Sequence, residues 1–345
     1  MAPTGAQNIA AWLPGVGKQI EVSPADIPVP SSGQLLIQVK ATAVQPADYK
    51  VQAGILRFPL TYPTVIGVSF SGIIVDVGPG VTRFQKGDRI VTNSGATVRN
   101  DSRFGGYQRY ALTTQELTSK IGDVPFEVAA SVSNLYGAAS ALVLHLHLDK
   151  PSPSPNPDNK AKRVLIWGAS SSFGAYATQL ATQAGYTVVA VASAKNSDLV
   201  QSLGATHFVD RNSPTATQEL VAQGPFKAIL AAADAAEDQV VLGNVLAAQG
   251  GGSFLSTMGL RPGVALPAGV SGHFAQYLDD YLDPKNDVFT KWLWWEYLEV
   301  ELQSNRLITL PVRVVGGLDK VQIAWELLHE GKISGQRLLI APDLD

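Results

Sequence analysis

The first third of the chain alternates between short apolar runs and turns that contain glycine or proline. The segments QLLIQVKATA (34–43) and FSGIIVDV (70–77) are rich in β-branched residues and partly alternate in polarity, which predicts two strands. Turn sequences such as VGPGV and KGDR interrupt the apolar runs of this region. The pattern therefore indicates a β-rich N-terminal region.

A different rhythm follows the proline- and serine-rich segment 149–162, which we interpret as a solvated loop. A long apolar helix is predicted just before it, over 134–148. After it, strands are predicted at 164–169, 187–193, 206–210, 228–234 and 252–259, with helices at 173–184, at 197–203 and between the last two strands. Strands that alternate with helices predict right-handed βαβ units on a parallel sheet, a doubly wound domain.

The tail from about Val288 breaks this rhythm again. WLWWEYLEVEL is helical in pattern, and LPVRVV and GQRLLIAP read as strands. Strand material at both ends of the chain predicts that the tail folds back onto the N-terminal domain. We expect one domain from residues 1–133 and 288–345, and a second from 134–287.

Composition describes an ordinary globular protein. Lysine and arginine number 26 against 29 acidic residues, so no basic footprint for nucleic acid is present. No uninterrupted apolar run reaches the roughly 18 to 20 residues of a membrane span, and no secretory signal is readable, so a cytoplasmic location is expected. The chain has no cysteine, which excludes disulfides, thiol nucleophiles and thiolate metal sites.

The sequence GASSSFG (168–174) follows the strand-like run VLIW and begins a helix rich in small residues. A pyrophosphate turn needs a tight strand end, here at Gly168, and close helix–strand packing, here at Gly174. Helix N-termini attract anions, and hydroxyl groups reach phosphate oxygens. We therefore predict a cofactor turn formed by Gly168, Ser170, Ser171, Ser172, Phe173 and Gly174; a plain strand–turn–helix corner is the alternative.

The next predicted strand ends in VASAKN, where an NAD-binding domain normally has an acidic residue for the ribose 2′-hydroxyl. Here Ser193, Lys195 and Asn196 offer a hydroxyl, an ammonium and an amide instead. Arg211, after the following strand, adds a second cation. These groups favour a 2′-phosphate, and hence NADPH; the alternative is that the two cations are solvated surface charges.

Further motifs extend over nearly the whole chain. They are PVPSSGQLLIQVKATAVQPADYK, YPTVIGVSFSGIIVDVGPGVTRFQKGDRI, GGYQRYAL, SLGATHFVD and GGLDKVQIAWELLHEGKISGQRLLI. With GASSSFG, they resemble the zinc-free branch of the medium-chain dehydrogenase/reductases, which includes quinone oxidoreductases, enoyl reductases and trans-acting enoyl reductases of fungal polyketide synthases. The resemblance implies an α/β protein: a GroES-like β-rich catalytic domain and a Rossmann doubly wound parallel-sheet domain, with NADPH in the cleft.

Zinc-dependent members of this family carry C-x-x-D-x-H and G-H-E to hold a catalytic metal. This chain has QPADYK (45–50) and GVS (67–69) at these places, so the cysteine, histidine and glutamate ligands are replaced and no metal is expected. Without a Lewis acid, hydride transfer to a carbon conjugated with a carbonyl is favoured over alcohol oxidation. The resemblance thus implies an NADPH-dependent reductase of an α,β-unsaturated carbonyl or enoyl thioester, in secondary (polyketide) metabolism.

Hydrogen-bond donors must hold the developing oxyanion, and a proton must reach the α-carbon. The resemblance to polyketide enoyl reductases makes Lys50 the first candidate for this polar catalysis. Alternatively, Lys50 binds the nicotinamide ribose or forms an ion pair on the helix surface. Gln45 stands where zinc-free members have asparagine. Ser140 matches a threonine that family members place beside the nicotinamide. Met258 belongs to a strand end that is expected to lie near the nicotinamide amide. A helix-buried serine that only bonds a carbonyl is the alternative for Ser140.

Other features leave the function open. His145 and His147 point to different helix faces and suggest no metal site. The aromatic cluster from Trp292 to Trp295 is interpreted as core packing, with a substrate cleft or dimer surface as alternatives. Competing functions are an NADPH quinone oxidoreductase and a non-catalytic NADPH-binding sensor. A homodimer and a partner polyketide synthase both stay open, as does the identity of the substrate.

Overall fold

The computed structural model describes residues 5–275 and 277–344. The chain divides into two compact units, Met1–Ser133 with Tyr281–Asp345, and Asn134–Asp280. From the sequence, the two domains were expected to span 1–133 with 288–345, and 134–287. We refer to the two units as the β-rich unit and the doubly wound unit.

Strands follow one another through most of the first third of the chain and alternate with helices after it. The strands of the described residues are β1 (Asn8–Trp12), β2 (Glu21–Ala25), β3 (Gln34–Ala43), β4 (Ser69–Val77), β5 (Arg89–Asn93), β6 (Tyr110–Thr114), β7 (Thr118–Lys120), β8 (Arg163–Trp167), β9 (Thr187–Ala192), β10 (His207–Asp210), β11 (Phe226–Ala231), β12 (Gly252–Ser256), β13 (Val270–His273), β14 (Val312–Gly316) and β15 (Arg337–Ile340).

The described residues also form helices. They are α1 (Pro46–Gln52), α2 (Ala96–Arg99), α3 (Phe126–Ser131), α4 (Leu135–Ser140), α5 (Ser172–Gln183), α6 (Ser197–Ser202), α7 (Ala216–Gln223), α8 (Ala236–Ala248), α9 (Tyr277–Leu282), α10 (Asp287–Lys291), α11 (Leu298–Gln303) and α12 (Val321–His329). Two π-helical stretches, Ala141–His145 and Trp292–Tyr297, lie between α-helices or at their ends.

The β-rich unit is built on a mixed sheet in the order β14-β15-β3-β4-β5-β7, with β6 also paired to β3. The tail strand β15 pairs antiparallel with β3 through Leu339 and Ala43. The predicted return of the tail to the N-terminal region is therefore made by a shared sheet. A core that includes the fully buried Tyr107 and Trp325 packs beside it.

The doubly wound unit contains a parallel sheet in the order β10-β9-β8-β11-β12-β13. The chain winds outward from β8 in both directions, so the order reverses between β8 and β11. Ligands of such sheets bind at this switch point, outside the carboxyl ends of the strands. The predicted α/β fold class is confirmed. The strand β13 (VSGH) was not predicted, because it has no apolar run.

One helical segment runs from Phe126 to His145, and it begins earlier than the predicted 134–148. It ends before His147, whose positive φ of 52° leaves helical geometry. The segment is long and apolar enough to cross a membrane by length and composition, with a mean hydropathy of 1.2. Because 72% of its most apolar window is buried inside the protein, it has the burial of a core helix.

The aromatic cluster of the tail packs within the β-rich unit. Trp294 is buried, and its carbonyl oxygen accepts a hydrogen bond from Ser119 on β7. The Trp295 indole donates to the carbonyl oxygen of Gln115, and the guanidinium of Arg83 lies 5.3 Å from the ring centre. These contacts agree with the packing interpretation of this cluster.

Candidate functional site

The turn after β8 has the backbone geometry that a cofactor turn needs. Gly168 has a φ of +76°, and an added Cβ would lie 2.7 Å from the backbone nitrogen of Ala233, beyond the end of β11. An added Cβ on Gly174 would lie 2.3 Å from the carbonyl oxygen of Gly168. Because both contacts are with backbone, only glycine fits at either position. The turn and the first turn of α5 are thus held close together.

The serines of this turn have three different environments. Ser171 is the N-cap of α5, and its hydroxyl accepts a hydrogen bond from the amide of Gly174 at 3.1 Å. The hydroxyl of Ser172, the first residue of α5, is buried and has no hydrogen-bond partner among the described residues. Buried hydroxyls normally have a partner, so Ser172 is an available donor at a helix N-terminus.

Ser170 links this turn to the next strand. Its hydroxyl accepts a hydrogen bond from the side-chain amide of Asn196 at 3.0 Å. Asn196 ends a short helical turn, Ala194–Asn196, that follows β9. Two of the predicted cofactor residues are therefore in direct contact, and they join the carboxyl ends of β8 and β9.

The predicted 2′-phosphate residues lie on neighbouring strand ends, where the amide of Arg211 donates to the carbonyl oxygen of Ala192, but their side chains have different environments. Ser193 is half-buried and Lys195 is exposed beside it, with no ion pair for Lys195 among residues 5–275 and 277–344. Arg211 instead forms an ion pair with Asp238, whose carboxylate also accepts the amide of Ala235 at the start of α8. Arg211 is thus held by α8, while Lys195 is available to a ligand.

A buried carboxylate organises the ends of β11 and β12. The side chain of Asp234 is fully buried and accepts hydrogen bonds from Gln239 at 2.6 Å and from Ser256 at 3.0 Å. Arg261 lies 3.2 Å from its other oxygen. Ser256 in turn accepts the amide of Met258 at 3.2 Å. This network fixes the backbone around Met258, the strand end predicted to lie near the nicotinamide.

Ser140 is fully buried in α4 and donates a hydrogen bond to the carboxylate of Asp280 in α9. His145 Nε2 lies 2.8 Å from the same carboxylate oxygen. The nearby Tyr277 hydroxyl is buried without a partner among the described residues, and burial together with the Asp280 charge raises its pKa. Ser140 is therefore part of a polar cluster and does not merely bond back to its own helix.

In the β-rich unit, Gln45 precedes α1 and is held by Asp48. The Asp48 carboxylate accepts the amide of Gln45 at 2.8 Å and the hydroxyl of Tyr107 at 2.6 Å. The Trp325 indole donates to the same Tyr107 hydroxyl at 3.3 Å. Burial raises the pKa of Asp48 to about 6, although the hydrogen bond from Tyr107 opposes the shift. The start of α1 is thus fixed by a buried polar chain.

Lys50 lies two residues beyond Asp48, in the same helix, and is half-buried. Its ammonium lies 6.0 Å from the centre of the Tyr49 ring, which in turn packs at 5.1 Å on His329 of α12. Tyr49 is a packing aromatic with partial burial. Lys50 therefore extends from a well-supported helix.

Three buried polar side chains near the start of α1 have an atom without a partner among the described residues: Gln45 Nε2, Ser69 Oγ and Asn93 Nδ2. Ser69 and Asn93 face each other across β4 and β5. Thr42 pairs with Phe70, so β3 leads toward Gln45 beside the start of β4. Buried donors normally have a partner, so these three atoms are available to an oxygen of a ligand.

At positions where zinc-dependent members have metal ligands, this chain has the carboxamide of Gln45, the ammonium of Lys50 and the hydroxyl of Ser69. Across residues 5–275 and 277–344, no group of three His, Cys, Asp or Glu side chains is arranged to hold a metal ion. Of these groups, Gln45 and Lys50 were selected from the sequence. Ser69 was noted there only as a lost ligand, and Asn93 carried no signal.

Sequence reasoning also missed the roles of four residues: Asp234, Gln239, Arg261 and Asp280. Asp280 lies 140 residues from Ser140 in the chain, and no local pattern connects them. Asp234 carried a weak signal, because a carboxylate that ends an apolar strand beside a small-residue turn is rarely left unpaired.

Several known proteins are similar to this chain. The alcohol dehydrogenase GroES-like domain family matches residues 31–123. The trans-enoyl reductase himH of Aspergillus japonicus is 33% identical over 340 residues, which cover 96% of this chain and 97% of that protein. The chloroplast envelope quinone oxidoreductase homolog of Arabidopsis thaliana is 31% identical over 190 residues, 54% of this chain and 55% of that protein.

A solved structure, that of CurK enoyl reductase, has the same fold. It superposes with a TM-score of 0.76 at 18% identity, and the match covers 97% of this chain and 99% of that chain. Similarity therefore extends over both units of the chain in sequence and in structure.

Proposed function

Because the chain belongs to the enoyl reductase and quinone oxidoreductase branch of the medium-chain dehydrogenase/reductase family, and is an oxidoreductase, we propose that it is an NADPH-dependent reductase of conjugated C=C bonds. Its substrate would be an α,β-unsaturated carbonyl or an enoyl thioester, in polyketide metabolism. The observation that carries the proposal is the set of unpartnered donors at Gln45, Ser69 and Asn93, beside the metal-ligand positions that have been replaced.

The residues of the doubly wound unit fit a dinucleotide. Gly168 and Gly174 leave room for backbone approach, and the Ser172 hydroxyl supplies an unpartnered donor at the N-terminus of α5. Ser193 and Lys195 would bind the 2′-phosphate. Arg211 would bind the 2′-phosphate only if its ion pair with Asp238 broke, so we assign it a smaller part of the phosphate binding than Lys195. When bound, NADPH supplies the hydride.

The β-rich unit would stabilise the negative charge that develops on the substrate during the reaction. As the β-carbon accepts hydride, charge develops on the carbonyl oxygen, and preorganised donors lower the energy of that state. The ammonium of Lys50 and the carboxamide of Gln45 would hold this oxygen. Asp48 and Tyr107 keep Gln45 and α1 in place, so little reorganisation accompanies the charge.

A quinone oxidoreductase is the second candidate, favoured by the match to the Arabidopsis protein. A quinone also carries a conjugated carbonyl, so the same donors would serve it. A cofactor-binding sensor is a third candidate. We further propose a cytoplasmic location, and a small-molecule or carrier-bound acyl substrate, with a homodimer or a polyketide synthase as partner.

The test is NADPH oxidation with four acceptor classes: enones, 2-enoyl thioesters, quinones and simple aldehydes. We expect turnover with enones or enoyl thioesters, none with aldehydes, and a loss of kcat on the order of 10²-fold in Lys50→Met. Lys18→Met, at an exposed lysine of the same unit, is the matched control. Tight NADPH binding without turnover of any acceptor would favour the sensor, and quinone turnover alone would favour the second candidate.

A further inference from the structure

The cluster of Ser140, His145 and Asp280 in the doubly wound unit forms a continuous hydrogen-bonded path. The Ser140 hydroxyl donates to Asp280 Oδ2, and His145 Nε2 lies 2.8 Å from that same oxygen. His145 follows Ser140 by five positions on one helical segment, while Asp280 comes from α9. One carboxylate oxygen therefore joins an imidazole to a hydroxyl.

The path leads from solvent into the interior of this unit. The side chain of His145 is 31% exposed and that of Asp280 is 15% exposed, whereas Ser140 is 0% exposed. A proton that enters at the imidazole can cross to the buried hydroxyl, because each neighbouring pair is within hydrogen-bond reach.

The inner end of the path lies against the predicted cofactor turn. An added Cβ on Gly137, in the helix of Ser140, would lie 2.7 Å from the ring of Phe173 at the start of α5. Tyr277 packs at 5.2 Å on Phe173 and edge-on, at 6.1 Å, on His145. The helix that carries Ser140 is therefore seated on the first turn of α5.

We propose that His145, Asp280 and Ser140 deliver the proton that completes the reduction, an inference that rests on the proposed function. Hydride addition to the β-carbon leaves negative charge on the α-carbon and carbonyl oxygen of the substrate. Protonated His145 passes its Nε2 proton to the Asp280 carboxylate, which passes it on to the Ser140 oxygen, while the Ser140 hydroxyl turns from Asp280 to the α-carbon and gives up its own proton. Water restores the proton of His145, so one hydride and one proton add across the double bond.

The other ionisable groups around this path are Tyr277 and Asp279 on α9, with Asp234 acting on Tyr277 from the end of β11. Burial raises the pKa of both Tyr277 and Asp279, and the charge of Asp280 raises them further. Tyr277 therefore stays protonated over an assay range.

The experiment compares His145→Gln and Asp280→Asn with His147→Gln, an exposed histidine two residues away. For each protein, kcat is measured with substrate, and the NADPH dissociation constant is measured by fluorescence without substrate. We expect the first two variants to lose kcat on the order of 10²-fold. Their NADPH affinity should stay within about two-fold of wild type. His147→Gln should behave as wild type.

A second measurement keeps the test independent of folding. In His145→Ala, added imidazole should restore turnover, because the partly exposed position admits a free imidazole that replaces the lost proton donor. Wild-type kcat in His145→Gln, or an equal loss of kcat and NADPH affinity without imidazole rescue, would overturn the path. A wild-type protein that binds NADPH but reduces no conjugated substrate would instead overturn the proposed function, and the path with it.

Discussion

Asp48 accepts the phenolic hydrogen of Tyr107 at 2.6 Å, and both side chains are buried in the β-rich unit. The same carboxylate oxygen accepts the amide of Gln45. Burial raises the pKa of Asp48 from 3.8 to about 6, because desolvation outweighs these two hydrogen bonds. The carboxylate that holds the Gln45 amide therefore changes its protonation near pH 6.

We predict that Asp48→Asn changes the pH dependence of stability. The raised pKa means that the contribution of neutral Asp48 is fully present below about pH 4 and is lost as pH rises through about 6. Asparagine keeps one oxygen for both donors and does not titrate. Relative to the variant, the wild type should lose up to about 3 kcal/mol of unfolding free energy between pH 4 and pH 8. Urea unfolding at both values measures this, and a pH-independent difference would contradict it.

Gly174→Ala should disable the cofactor turn. The new Cβ would lie 2.3 Å from the Gly168 carbonyl oxygen, so α5 must move away from the turn. We expect a loss of about 1–3 kcal/mol in stability and at least about ten-fold weaker NADPH binding. Gly15→Ala is the control, because its Cβ would make only an ordinary 3.6 Å contact with Lys18. Unchanged NADPH affinity in Gly174→Ala would place the cofactor elsewhere.

Lys195→Ala should reduce the preference for NADPH over NADH. A lost contact between ammonium and 2′-phosphate corresponds to about ten-fold weaker NADPH binding, with NADH binding unchanged. Lys227→Ala, at another exposed lysine of the same unit, should change neither. Arg211→Ala should alter the preference less, because its guanidinium is bound to Asp238. Fluorescence titration with both cofactors measures these ratios, and a larger effect of Arg211→Ala would reverse the assignment.

Asp234→Asn should destabilise the doubly wound unit. The substitution leaves Arg261 without its carboxylate partner and weakens the acceptor for Gln239 and Ser256. Breaking a buried ion pair on one side corresponds to a loss of about 3 kcal/mol. Asp198→Asn, at an exposed position of α6, should have no comparable effect. Thermal unfolding compares the two variants, and equal midpoints would show that the network is not structural.

Local patterns were sufficient for most of the fold. The strand β3 was predicted with its observed bounds, because apolar runs bounded by turns identify a strand from neighbouring residues alone. The short edge strand β13 was not, since a glycine and two polar residues leave no period to detect. The first eight residues of the 126–145 helical segment were missed for a similar reason: serines at 131 and 133 and the asparagine at 134 interrupt the apolar pattern.

The site was less predictable than the fold. The positions of Gly168 and Gly174 followed from one short motif, because the turn and helix that use them are contiguous. The partners of Ser140 and Arg211 did not, since Asp280 and Asp238 reach them only through tertiary packing. Sequence identifies which groups are present, and the fold determines which of them a neighbour already binds.

The central claim is hydride transfer to the β-carbon, and the position of the label in the product tests it most directly. The protein is incubated with NADPH deuterated at the nicotinamide C4 and a 2-enoyl thioester, and the product is analysed by NMR. We predict deuterium at the β-carbon and, in heavy water with unlabelled NADPH, deuterium at the α-carbon. Deuterium at the carbonyl carbon, or no transfer to carbon at all, would contradict the account.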